Sequence, residues 1–248
     1  MTVAALISLR ETFEASLVVC VVLAFLQRIG RNDFKPAVWL GVAGGAALSI
    51  TFAFVLSAFA GTVPERSFAF YEGTMYLVAA GLVLWMVVWM AGAGKTMKRD
   101  IEESAATHVA GGSFLGIFLI SFTAAAREGA EMALMVHATM LDGGKTLHAV
   151  AGVCMGVTGA VIIAAFLIRG IRLVPMKIFF ALTTTLIIIL GSALSMKGTE
   201  EFMEGIEAME TTATHDEAEE TELPVFGTGV LYAAIALAIW RKRTSATQ

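Results

Sequence analysis

The stretch AAAREGAEMALMV, residues 124–136, sets one arginine and two glutamates in the middle of an apolar segment. Arg127, Glu128 and Glu131 stand where a helix crossing a bilayer should carry no charge. A near copy, SLRETFEASLVV, fills residues 8–19 and supplies Arg10, Glu11 and Glu14. An offset of 117 residues relates the two triplets, and the same offset carries Leu17 to Leu134 and Val19 to Val136. The remainder of the chain reads as a frame that brings these two clusters together.

That frame is a membrane one. Of 248 residues, 57% are hydrophobic and only 15% charged, and several apolar runs approach the ~20 residues that span a bilayer. The chain is therefore expected to be an all-α polytopic membrane protein, a single membrane domain over residues 1–248. Cys20 and Cys154 fall inside apolar runs, which argues against a disulfide framework. No basic residue precedes the first apolar stretch and three charges interrupt it, so it reads as a retained span and not as a signal peptide.

Seven spans fit, at about 3–26, 38–60, 68–90, 113–140, 149–168, 178–196 and 225–240. The segments after spans one, three, five and seven hold twelve lysines and arginines: Arg28, Arg31, Lys35, Lys95, Lys98, Arg99, Arg169, Arg172, Lys177, Arg241, Lys242 and Arg243. Those after spans two, four and six hold three: Arg66, Lys145 and Lys197. Basic residues collect on the cytoplasmic side, so the N-terminus is expected outside and the C-terminus in the cytoplasm. Span one then enters from outside and span four from inside. The chain reads as two inverted three-helix repeats, about 1–94 and 111–197, followed by an acidic extracytoplasmic loop at about 198–222 and a seventh helix. Transporters recurrently use inverted repeats, with the site at the repeat interface. Gly41 and Gly45 in span two, and Gly152 and Gly156 in span five, have the GxxxG spacing that permits close helix contact, although glycine is also common in membrane helices.

On a helix, residues three and four apart share a face, so each triplet presents its arginine and glutamates together. Six uncompensated charges would cost on the order of 15–20 kcal/mol in the membrane, so they must face one another or a wet cavity. Four carboxylates and two guanidiniums make a site of formal charge −2, with Arg10 and Arg127 reducing repulsion when it is empty. Oxygen-only ligation allows Mg, Mn, Ca or iron. A structural pair of buried salt bridges would need one arginine and one glutamate, not a duplicated triplet with surplus acid. Carboxylates sharing a site can also carry protons, which leaves a coupled-proton role open.

Beyond the clusters, Glu201, Glu204, Glu207 and Glu210 repeat at intervals of three, followed by His215 and further acids. This segment could gather cations at the outer mouth or be a solvated linker. Glu72, near the outer end of span three, reads as a mouth ligand or an interfacial charge. The 13 methionines are scattered and read as packing or lipid-facing residues; Trp39, Trp85, Trp89 and Trp240 read as interfacial anchors, and His137 as a packing residue. The chain has no GxxxxGK[ST] motif, so nucleotide hydrolysis does not drive it directly.

RETFE at Arg10–Glu14 and REGAE at Arg127–Glu131 resemble the paired REGLE-type motifs of the high-affinity iron permeases, which include oxidase-linked fungal permeases and bacterial elemental-iron uptake permeases. FYEGTMYLVAAGLVLWMVVWM in span three and the ExxE-bearing segment also look like that family. The first motif departs from the family form, with Thr12 and Phe13 in place of glycine and leucine. The resemblance implies an iron permease of the bacterial inner membrane, with Glu11, Glu14, Glu128 and Glu131 as translocation ligands. Iron is then cargo and not a permanently bound cofactor. The partners implied are iron ions and membrane lipid, a ferroxidase or periplasmic iron-delivery protein, and a second copy of the chain, but no nucleic acid. The competing readings are a transporter or exchanger for another hard dication such as Mn or Ca, a carboxylate metalloenzyme and a metal sensor. The enzyme is disfavoured because no histidine follows a glutamate by three residues, as di-iron bundles require. A sensor leaves the duplicated buried motif without a task.

Overall fold

A computed structural model describes residues 1–93, 97–141, 146–168, 176–210 and 222–245, and among them all regular structure is helical. The α-helices are α1 (Thr2–Arg28), α2 (Lys35–Ala60), α3 (Glu65–Ala93), α4 (Met97–Ala110), α5 (Phe114–Leu141), α6 (Thr146–Ile168), α7 (Met176–Glu210) and α8 (Glu222–Ser245). A short 3-10 turn, Asn32–Phe34, leads into α2. His215 lies outside the described residues, as do Lys95, Lys145, Arg169 and Arg172 and the side chains of Glu207 and Glu210.

Local chemistry sets the helix ends. α1 stops at Gly30, which adopts φ 75°, a left-handed conformation open to glycine at little cost. The Arg31 N–H then donates to Leu26 O at 2.9 Å and the Gly30 N–H to Gln27 O at 3.2 Å, satisfying two terminal carbonyls. α4 ends the same way at Gly112, φ 63°, with the Ser113 N–H donating to His108 O at 2.8 Å. Ser113 in turn caps α5, its Oγ accepting from the Gly116 N–H at 3.0 Å.

Among the described residues, four helices contain stretches long and apolar enough to cross a bilayer: Asn32–Ala60, Ser67–Val88, Thr146–Phe166 and Leu182–Ile206. α1 and α5 are comparably long, at 27 and 28 residues, but carry the charged triplets. In α8 the apolar part, Val225–Trp240, is shorter. Two segments differ from the sequence reading. The charged connector after span three contains α4, whose Ile101, Ala105 and Val109 form an apolar stripe at four-residue spacing. The ExxE run, to Glu210, is the end of α7 and not a linker. At 35 residues and 1.5 Å per residue, α7 is about 52 Å long, well beyond the ~30 Å hydrocarbon layer.

The helices sort into two compact units. One comprises Met1–Leu56 and Lys95–Pro175, the other Ser57–Gly94 and Met176–Gln248. In the first, α1 lies along α6 and α5 and meets α4 at its C-terminal end. There Val22, Phe25 and Leu26 pack with Ala37 and Val38 of α2, Ala105 and Val109 of α4 and Ile117 of α5. Arg28 Nη2 reaches Glu102 Oε2 at 3.4 Å on the surface of this cluster.

Glycines fix two helix crossings in this unit. Gly41 and Gly45 of α2 lie against Phe118, Ser121, Phe122, Ala125 and Ala126 of α5. Gly152 and Gly156 of α6 lie against Met1, Ala4, Ala5, Ser8 and Leu9 of α1. Adding 117 carries Ala4, Ala5, Ser8 and Leu9 onto Ser121, Phe122, Ala125 and Ala126, so the two crossings use corresponding positions. A Cβ at any of the four glycines would meet the neighbouring backbone. Gly156→Ala should therefore overpack α1 against α6 at a cost of about 1–3 kcal/mol. A thermal-shift measurement in detergent should show a lower midpoint for Gly156→Ala and none for Gly81→Ala, where open space surrounds the Cβ position.

In the second unit α7 lies along α3, and α8 contacts both. Gly73 of α3 sits on the Glu201–Phe202 backbone and Gly205 of α7 on Phe70; the Phe70 and Phe202 rings meet at a tilt of 35° with centroids 4.8 Å apart. Tyr232 of α8 covers Gly191 and donates its hydroxyl to Ala80 O at 2.8 Å.

Candidate metal centre

The two charged triplets lie on α1 and α5, which pack together within the first unit. On α1, Arg10 Nη1 meets Glu11 Oε1 and Arg10 Nη2 meets Glu14 Oε1, both at 3.0 Å. Arg10 and Glu11 are each only 1% exposed, so this is a buried ion triad. On α5, Arg127 Nε lies 2.8 Å from Glu131 Oε1 and 4.0 Å from Glu128 Oε1. The Arg127 side chain is 37% exposed, so it is far less enclosed than that of Arg10. In both triplets the arginine reaches the glutamate four residues on, the contact that helical spacing favours.

Across the helices, one carboxylate oxygen from each of Glu11, Glu128 and Glu131 lies within 4.8 Å of the others. That is about the span of oxygens around one bound dication, given metal–oxygen distances of roughly 2.0–2.6 Å. Glu14 is outside this triangle and faces Arg10. The second oxygens of Glu11, Glu128 and Glu131 are buried without a hydrogen-bond partner. Buried carboxylate oxygens with no donor are costly to keep, and a cation is the partner that would satisfy several at once.

Small hydroxyls flank the carboxylates. Ser8, one turn before Glu11, is buried and donates to Ala4 O at 2.7 Å. Ser49 of α2 occupies the space that a Cβ on Gly129 would need, and donates to Gly45 O at 2.9 Å. Gly129 thus has a steric reason at its position in REGAE. Ser121 precedes Glu128 by two turns, and its Oγ is buried without a hydrogen-bond partner. Sequence reasoning missed these serines; the available signal was Ser8 three residues before Glu11 and Ser121 seven before Glu128, while Ser49 on α2 offered none.

The other candidates fall in the second unit. Glu72 is buried, 8% exposed, and accepts a hydrogen bond from the Tyr76 hydroxyl at 3.0 Å, which separates it from an ordinary interfacial charge. Gly73, next to it, rests on Glu201, which is half-buried, whereas Glu204 is exposed. His137 on α5 is buried, as are Met86 and Met135, while Trp39 and Trp85 are largely exposed on the apolar surface.

The family model described as the iron permease FTR1 family matches residues 1–219. A ferrous iron permease EfeU of Escherichia coli O6:K15:H31 is 28% identical over 202 residues, covering 80% of this chain and 72% of that protein. The ferrous iron permease EfeU of Yersinia pestis is 28% identical over 80% of this chain and 71% of its own length. An uncharacterized protein of Archaeoglobus fulgidus is 32% identical over 81% of this chain and 70% of its own. No solved structure matches the chain.

Proposed function

The chain belongs to the iron permease FTR1 family, and from that premise we propose that it carries iron inward across a cell membrane by way of Glu11, Glu14, Glu128 and Glu131. It is an integral membrane protein and a transporter, as the family and the apolar helices indicate. The observation that carries the mechanism is the triangle of Glu11, Glu128 and Glu131 with its three unpartnered buried oxygens. An incoming cation replaces its water with these oxygens. Arg10 and Arg127 hold the glutamates in place before it arrives and after it leaves. Fe(II) is the proposed cargo, supported by the names of the bacterial relatives.

The proposed topology has α1, α5 and α8 crossing alongside the four apolar helices, giving seven spans. Its orientation follows the basic residues, in a bacterial inner membrane. The corresponding glycine crossings α2–α5 and α6–α1 support two inverted repeats, each exchanging its first helix for that of the other. α4 then joins the repeats on the cytoplasmic side.

The sequence holds no GxxxxGK[ST] motif, so the work comes from gradients and the membrane potential or from a partner. An inward dication gains about 4.6 kcal/mol per 100 mV of inside-negative potential. Imposing an inside-negative potassium diffusion potential on proteoliposomes should therefore speed Fe(II) uptake several-fold, and reversing its sign should slow it. Uptake indifferent to the potential would mean that no net charge crosses with the iron. In the same vesicles, excess Mn(II) and Ca(II) test the choice of metal: strong uptake of either, with none of iron, would reassign the cargo.

A further inference from the structure

The all-oxygen triangle leaves a problem of selection. Carboxylates alone favour hard cations, Ca(II) and Mg(II) among them, as readily as iron. A nitrogen or sulfur donor on the approach would discriminate, because imidazole and thioether ligands suit first-row transition metals better than alkaline earths. A cavity among the described residues of the first unit carries such donors. It has a volume of about 220 Å³ and is lined by Met1 and Ala4 of the α1 end, Thr139 and Met140 of α5, and His148 of α6.

Its position is informative. Ala4 precedes Glu11 by seven residues and Thr139 follows Glu131 by eight, so the cavity lies roughly 10–12 Å along α1 and α5 from the carboxylates. Between them stands one buried layer, including Ser8, Met135 and Ala138. The far end of the same helices is closed by the apolar cluster of Val22, Leu26, Ala105, Val109 and Ile117. One end of these helices therefore carries the imidazole and the other carries α4.

We propose that this cavity is a second metal station, a vestibule in which His148 takes transition-metal dications ahead of the carboxylates and so favours iron over calcium and magnesium. The proposal rests on the transport reading above for its direction, but its metal-binding content stands alone. Met1, Thr139 and Met140 line the same cavity as His148, and the Thr139 hydroxyl donates to Val136 O at 2.8 Å. His148 is exposed in the first turn of α6, so its replacement should leave the fold intact.

Two readouts test it. In proteoliposomes, His148→Ala should raise the KM for Fe(II) about tenfold with the maximal rate unchanged, and the Ca(II) concentration that half-inhibits uptake should fall about tenfold, each equal to about 1.4 kcal/mol of lost discrimination. In detergent without oxygen, Fe(II) alone should slow diethyl pyrocarbonate modification of His148, read by mass spectrometry, in wild type and Glu131→Ala alike, and Ca(II) should not. Unchanged kinetics in His148→Ala, or no protection of His148 by Fe(II), overturns the proposal. Protection of His148 together with normal uptake by Glu131→Ala would instead sink the carboxylate pathway and leave the vestibule standing.

Discussion

Glu131→Ala and Glu11→Ala should each lower iron uptake about 100-fold or more, equivalent to about 2.8 kcal/mol or more of lost binding. Each removes one corner of the carboxylate triangle and one negative charge that the cation needs. The fold should tolerate both changes. Without Glu131, Arg127 keeps its partial exposure and its proximity to Glu128. Without Glu11, Arg10 keeps Glu14 at 3.0 Å. Uptake and membrane yield must be measured together, because loss of uptake with normal yield separates a ligand from a structural residue. The conservative Glu131→Gln keeps the shape and an oxygen but not the charge, and should retain little more activity than Glu131→Ala.

Arg10→Ala should do something different: it should prevent the protein from accumulating in the membrane. The guanidinium is 1% exposed and ion-paired with both Glu11 and Glu14. Removing it strands two buried carboxylates, and breaking one partner out of a buried ion pair costs about 3–5 kcal/mol. That is a large share of the roughly 5–15 kcal/mol that holds a typical protein folded. Arg127→Ala removes the corresponding side chain at 37% exposure, where the charge is less buried than that of Arg10, and should cost less stability. Monodispersity in gel filtration after detergent extraction measures the contrast. A triple change, Arg10→Met with Glu11→Gln and Glu14→Gln, removes the stranded charges and should restore folding without restoring uptake. Equal yields of Arg10→Ala and Arg127→Ala would contradict the buried-triad account.

The charged residues were legible because they break the strongest rule of a membrane sequence and do so twice at one offset. Their pairing, Arg10 with Glu14 and Arg127 with Glu131, follows from helical spacing alone. The choice of Glu11 over Glu14 for the triangle was not legible. It depends on how α1 and α5 face each other, whereas Gly41, Gly45, Gly152 and Gly156 pack the flanking helices, α2 on α5 and α6 on α1. Their GxxxG spacing was visible in the sequence, but only the contacts distinguish it from ordinary glycine content. α4 was read as part of a loop because its apolar stripe is only Ile101, Ala105 and Val109 among many charges. The helical course of the ExxE run was hinted at by its three-residue spacing, yet acidic density suggested a linker equally well. Glu72 reads from sequence as a mouth ligand or an interfacial charge, and its partner Tyr76 becomes visible only once the helix is built.

The most direct test of the permease reading is radioactive iron uptake into proteoliposomes, with Fe(II) and Fe(III) supplied separately to wild type and Glu131→Ala. The account predicts uptake of Fe(II) by wild type and its loss in the variant at equal protein incorporation. Equal Fe(II) uptake by wild type and Glu131→Ala, or brisk transport of other dications with none of iron, would contradict it.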